Sequence, residues 1–173
     1  MNKKTMLKAF ILLSAAFPLY AQSDKETNNK VSADRILLKI PYQDREDIMR
    51  VMRANLNNLG NMINAMANDD FKSVQEIAEK MSFNKKKGKG LSRRGNPAFA
   101  AMGVQFHAID TVEVVKAAEK NDRKATLHAM SKMVNGCVAC HSTFKVMEWP
   151  DNKSYKRPEP TDLILPKGYK VSN

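Results

Sequence analysis

The pentapeptide Cys137-Val138-Ala139-Cys140-His141 constrains this chain more than any other stretch. C-x-x-C-H is the attachment sequence of c-type haem, in which two thiols add across the porphyrin vinyl groups and the histidine binds iron. The spacing requires a helix. Residues four apart share a helical face, which pairs Cys137 with His141, and Cys140 projects beside them. Two thioethers and one iron–nitrogen bond can then be made to one flat group from about one turn of backbone. Other uses of the cysteines fit less well. A thioredoxin-like pair wants a βαβ setting, and no such pattern is present. A zinc site needs further ligands at matched spacing, and the chain has only these two cysteines. A disulfide between adjacent turns of one helix constrains little loop.

The expectation is therefore one covalently bound haem c, carried on Cys137 and Cys140 with His141 as the proximal iron ligand. Haem c is attached outside the cytoplasm, and the opening of the chain reads as an export signal. Lys3, Lys4 and Lys8 precede or flank an apolar run from Leu7 to Phe17, and Pro18-Leu19-Tyr20-Ala21 offers a cut after Ala21. The run is shorter than the ~20 residues of a membrane span. An uncleaved anchor is the alternative. With 1–21 removed, the mature protein is expected in the periplasm with no transmembrane helix. The formal charge is +11, and loss of those three lysines leaves +8. Such a surplus favours an acidic redox partner or an anionic surface. Nucleic acid does not suit an exported chain with this motif.

Hydrophobic spacing predicts an all-α protein, an antiparallel up-down-up-down four-helix bundle over 44–148. A linker and lead-in, 22–43, precedes it, and an irregular proline-bearing tail, 149–173, follows. In the lead-in, Val31 to Ile40 either adds a turn or lies extended, and Ile40-Pro41 breaks it. The first helix is expected from about Asp44 to Ala67, with Ile48, Met52, Leu56, Leu59, Ile63 and Met66 on its buried stripe. The second runs from about Asp70 to Phe83 around Phe71, Val74, Ile77, Ala78 and Met81. From Asn84 to Asn96 six cations crowd between glycines, which reads as a basic, flexible connection. It is either a solvated loop or a docking patch for an acidic partner. Asn96-Pro97 caps and opens the third helix, expected to about Lys120 with Phe99, Met102, Phe106 and Ile109 inward. The fourth helix is expected from Asn121-Asp122 to Glu148. Leu127, Met130, Val134, Cys137, His141 and Phe144 would face its core. No alternating strand pattern stands out.

This layout, with C-x-x-C-H near the end of the last of four helices, resembles the cytochrome c′ family over about Asp44 to Lys145. The stretches that carry the resemblance are Arg45-Glu46-Asp47-Ile48-Met49, Leu59-Gly60, Phe99-Ala100-Ala101-Met102, and Cys137 to Lys145. Lys145 departs from the arginine usual at its position, which keeps the charge and loses the planar fork. The basic connection and the long tail depart as well. The resemblance implies a propionate contact for Arg45 and, in many members, pairing into a homodimer.

The resemblance also implies that an early residue of the first helix faces the second side of the iron. Leucine there gives an open site that binds nitric oxide or carbon monoxide. Methionine there gives a low-spin electron carrier. The matching residue is Met49. Depth in the expected helices agrees: Met49 would lie roughly 7.5 Å into the first helix and His141 roughly 10 Å from the end of the fourth. Met52 and His107 are the rival ligands, and an open site is the remaining alternative. His128 lies ~20 Å along the same helix from His141 and cannot reach the same iron. No triad, paired carboxylates or phosphate loop accompanies the motif, so a carrier rather than an enzyme is expected. The alternatives are a gas-binding protein of the same fold and a dithiol protein using Cys137 and Cys140.

Overall fold

Pro41 separates a strand from a long helix at the start of the described chain. The structure, a computed structural model, describes residues 35–150 and 153–171. The expected export signal, 1–21, and most of the polar linker lie outside the described residues. Strand β1 is Ile36–Ile40, and helix α1 is Tyr42–Ala67. There follow α2, Phe71–Met81; α3, Lys85–Ser92; and α4, Pro97–Val104. A π-helical turn, Gln105–Asp110, joins α4 without a break to α5, Thr111–Glu119. Helix α6, Arg123–Thr143, then gives way to strand β2, Phe144–Glu148. The described chain is thus predominantly helical.

Local chemistry explains most helix starts. Asp70, Asn96 and Asp122 each accept a hydrogen bond from the backbone N–H three residues on, satisfying one of the donors a helix start leaves free. Pro97 sits in the first turn, where a missing N–H costs nothing. In the main core, α1 packs on α2, α2 on α5, and α5 on α6. Met62, Met66, Val74, Ala78, Met81, Val114, Met130 and Met133 fill it. Methionine suits such a centre because its unbranched side chain adapts to irregular gaps.

Several sequence-based boundaries are corrected. The fourth helix stops at Thr143, not Glu148. Phe144 to Glu148 instead pair in parallel with β1, Ile36 opposite Phe144 and Ile40 opposite Glu148. Trp149 continues the ladder, its N–H donating to the Ile40 carbonyl at 2.7 Å. The lead-in is therefore extended, with Leu38 and Ile40 buried on alternate positions. The basic stretch after Asn84 is not a flexible connection. Asn84 caps α3 by accepting from the Lys87 N–H, and Leu91 anchors it. Gly103 makes room for that anchor, since a Cβ there would come 2.3 Å from Leu91.

The buried stripes also shift. On α1 the buried apolar residues are Met62, Ala65 and Met66, while Leu56 is 70% and Ile63 57% exposed. The π turn adds a residue to one coil of the third helix and rotates its inner face. His107, Ala108 and Asp110 turn inward, whereas Phe106 and Ile109 are only half-buried. On α6 the inner face is Thr126, Ala129, Met130 and Met133. The tail lies along the body. Leu163, Leu165 and Tyr169 pack around Phe83, Val104 and Ala108, and Ser92 and Thr161 exchange two hydrogen bonds.

Candidate functional site

Helix α6 carries Cys137, Cys140 and His141 on its last two turns. Both cysteines are free and half-buried. Burial pushes both thiols up from their ordinary value; at Cys137 the Asp110 carboxylate adds to the effect, and at Cys140 the neighbouring Cys137 does. Neutral thiols are the result. Cys140 packs into an apolar cluster with Leu38, Phe99 and Phe144, partly buried Leu91 and Met102 joining them. Phe99 and Phe144 meet edge to face at 5.4 Å.

His141 lies on the exposed side of the helix, not on its core stripe. Its carbonyl accepts from Arg35 Nη1 at 3.2 Å, and its imidazole has no hydrogen-bond partner among the described residues. It lies two residues from the end of α6, roughly 3 Å, and Met49 lies seven residues into α1, roughly 10 Å. Because α1 starts earlier and α6 ends earlier than expected, the expected agreement of depths does not hold. Among the described residues, no three or more His, Cys, Asp or Glu side chains converge as a metal-binding set.

A cavity of about 410 Å³ opens between the first turns of α1, helix α3, and Phe99 and His107. Ile48, Val51, Met52, Leu91 and Phe99 give it an apolar interior. Met52 and His107 line it; Met49, 36% exposed, is not among its lining residues. Phe99 and Leu91 belong both to the cavity wall and to the cluster around Cys140.

His107 is held with care. Its Nδ1 is 2.6 Å from the Met81 carbonyl oxygen, which can only accept, so the proton is on Nδ1 and the free lone pair on Nε2. Burial, aided by the nearby Lys87 charge and opposed by the Met81 hydrogen bond, pushes its pKa down to about 4. The ring is neutral near pH 7. Asp110, on the same π turn, stands beside Gly136 and Cys137; burial raises its pKa, while the Gln105 amide donating at 2.7 Å lowers it.

Sequence reasoning did not find the charge cluster at the cavity edge. Asp44 is buried, and Arg94 Nη1 and Arg157 Nη1 donate to its Oδ2 at 2.6 and 2.9 Å. Arg93 approaches its other oxygen at 3.9 Å. Only a run of arginines facing one acid of the first helix could have signalled this. Arg45, by contrast, pairs with its neighbour Glu46 at 2.9 Å and does not line the cavity. Lys145 is exposed on β2. No protein-family model matches the chain, and neither the curated proteins nor the solved structures provide a match.

Proposed function

We propose that this chain is an exported monohaem c-type cytochrome that carries electrons. One haem c would be bound through Cys137 and Cys140, with His141 as the proximal iron ligand. The observation that carries the reading is the placement of all three side chains on one stretch of α6, with free thiols and an imidazole that no protein group among the described residues occupies. The donor set fits the group. In haem c the sulfurs bond the porphyrin edge and only the imidazole meets the metal, so the three need not converge. An apolar cluster at Cys140 and an adjoining apolar cavity supply a low-dielectric setting for a flat hydrophobic ring. When bound, the haem supplies a one-electron iron couple.

The chain's own residues would anchor, orient and shield that group. Met49 is the distal ligand that the resemblance to cytochrome c′ implies, and its thioether is not committed to the core. Met52 is the competing thioether, supported by its place in the cavity wall. The helix contacts in chain order, α1 to α2 to α5 to α6, support the antiparallel four-helix bundle as the underlying plan. Export to the periplasm, docking to an acidic redox partner through basic α3, and pairing into a homodimer belong to the same reading. Raised thiol pKa values weigh against dithiol exchange, which needs a ready thiolate.

A gas-binding protein with an open distal position is the second reading. The partial exposure of Met49, outside the cavity wall, is what favours it. The test is the natively secreted protein. Intact mass and denatured-state haem absorption should show one covalent haem, and alkylation should find no free thiol. An apoprotein with two alkylatable thiols overturns the proposal. Oxidised holoprotein showing a long-wavelength iron–methionine band supports the carrier; a high-spin spectrum with ready carbon monoxide binding supports the gas reading.

A further inference from the structure

We infer that the cavity between α1 and α3 binds a small hydroxyaryl carboxylate, its carboxylate at Lys86 and Lys89 and its hydroxyl at His107 Nε2. The site is separate from the attachment motif. None of Cys137, Cys140 and His141 lines the cavity, and Phe99 and Leu91 stand between it and Cys140. At about 410 Å³ it has the size of small-molecule sites, which join an apolar lining to a few polar groups that fix orientation.

The inner polar group is His107, only 6% exposed, whose Nδ1–H is spent on the Met81 carbonyl. Nε2 keeps a lone pair with no hydrogen-bond partner among the described residues. No sealed side-chain nitrogen or oxygen among those residues lacks a partner, so Nε2 is not sealed; it opens on the cavity that His107 lines. An acceptor in so enclosed a wall calls for a donor on the ligand, because excluding water without replacing its hydrogen bond is costly.

The outer polar groups are cations. Arg93 and Arg94 share Asp44 with Arg157, and Arg50 pairs with Asp47 at 3.1 Å. Lys87 donates to the carbonyls of Lys80 and Ser82 at 2.8 and 2.5 Å, at the end of α2 where carbonyls lack helical partners. Lys86 and Lys89 also line the cavity, are exposed, and have no carboxylate partner among the described residues. They leave positive charge at the mouth for an anion.

Between the two ends lie Ile48, Val51, Met52, Leu91 and Phe99. A matching ligand has a donor at one end, an apolar middle and an anion at the other. An aromatic middle suits walls that include a phenyl ring and a thioether, and its rigidity holds the two polar ends apart at little entropic cost. An alkyl carboxylate lacks the inner donor, and a neutral phenol lacks the outer charge.

The test is calorimetric titration of the full-length secreted protein with para-hydroxyphenylacetate, phenylacetate and para-hydroxyphenylacetamide. The first should saturate one site. Loss of the hydroxyl should weaken binding about fivefold, and loss of the charge about threefold or more. Lys86→Gln/Lys89→Gln should reduce the carboxylate to the affinity of the amide. Lys120→Gln/Lys124→Gln, which removes equal charge at the exposed α5–α6 turn, should leave the difference intact. Nitrogen NMR of the imidazoles should show His107 Nε2 shifting on binding and His128 unmoved. Absence of saturable binding, equal affinity for the three compounds, or an equal loss in the control pair overturns the inference. A ligand-induced change in haem absorption places the compound on iron and overturns it as well. Because the cavity excludes the attachment residues, its binding and the presence of covalent haem are read out separately.

Discussion

His107 and Met81 are joined by a 2.6 Å hydrogen bond from the imidazole Nδ1–H to the backbone carbonyl, which ties the π turn of the third helix to the end of α2. The bond fixes the tautomer, and burial keeps the ring neutral. Its folded pKa of about 4 lies below the ordinary 6.5, so the unfolded chain binds the extra proton first as pH falls. The stability that neutral His107 contributes is complete above about pH 6.5 and is lost progressively toward pH 4. The full loss is on the order of 3 kcal/mol. Urea midpoints at pH 7 and 4.5 should differ less in His107→Gln than in the wild type. An equal pH slope in both refutes this placement of the charge.

Asp44 gathers Arg93, Arg94 and Arg157, and Arg94 is as buried as its partner. Burial pushes the Arg94 pKa down, and the Asp44 charge opposes that fall. Asp44→Asn keeps the shape and removes the only carboxylate that pairs with these three arginines among the described residues. A loss of about 3 kcal/mol is expected, the usual cost of orphaning a buried charge. Asp47→Asn breaks only an exposed pair with Arg50 and should cost less than about 1 kcal/mol. Urea denaturation of the two variants decides it.

Leu91 occupies the notch at Gly103, where an added Cβ would lie 2.3 Å from its Cδ2. Gly103→Ala must push the leucine aside, at a cost of about 1–3 kcal/mol. The effect should be local. Amide exchange in Lys85–Ser92 should accelerate, while the α2 and α5 amides keep their protection.

Met49 and Met52 lie one turn apart on α1, the first partly exposed and the second on the cavity wall. In holoprotein, Met49→Leu should abolish the iron–methionine band and admit carbon monoxide, and Met52→Leu should retain the band. The reverse pattern transfers the distal role to Met52. Retention in both assigns the position to another methionine, and a wild-type holoprotein without the band assigns it to His107 or to open space.

The attachment motif and most helix starts were legible because their physics is local. Cys137, Cys140 and His141 fall together on the last two turns of α6 because their spacing is helical, and Asp70, Asn96 and Asp122 cap helices with their own side chains. Such features need no knowledge of distant partners. The recurrence of apolar residues at steps of three and four likewise determined that the protein is helical.

Tertiary structure decided the rest. Phe144 to Glu148 are a strand because Ile36 to Ile40, more than a hundred residues earlier, offer a pairing edge. The basic stretch is a helix because Leu91 finds a notch at Gly103. The π turn rotates His107 and Asp110 inward, a phase change that a uniform helical period cannot express. Arg93, Arg94 and Arg157 gather on Asp44, because burial and charge pairing are settled among segments that meet only after folding.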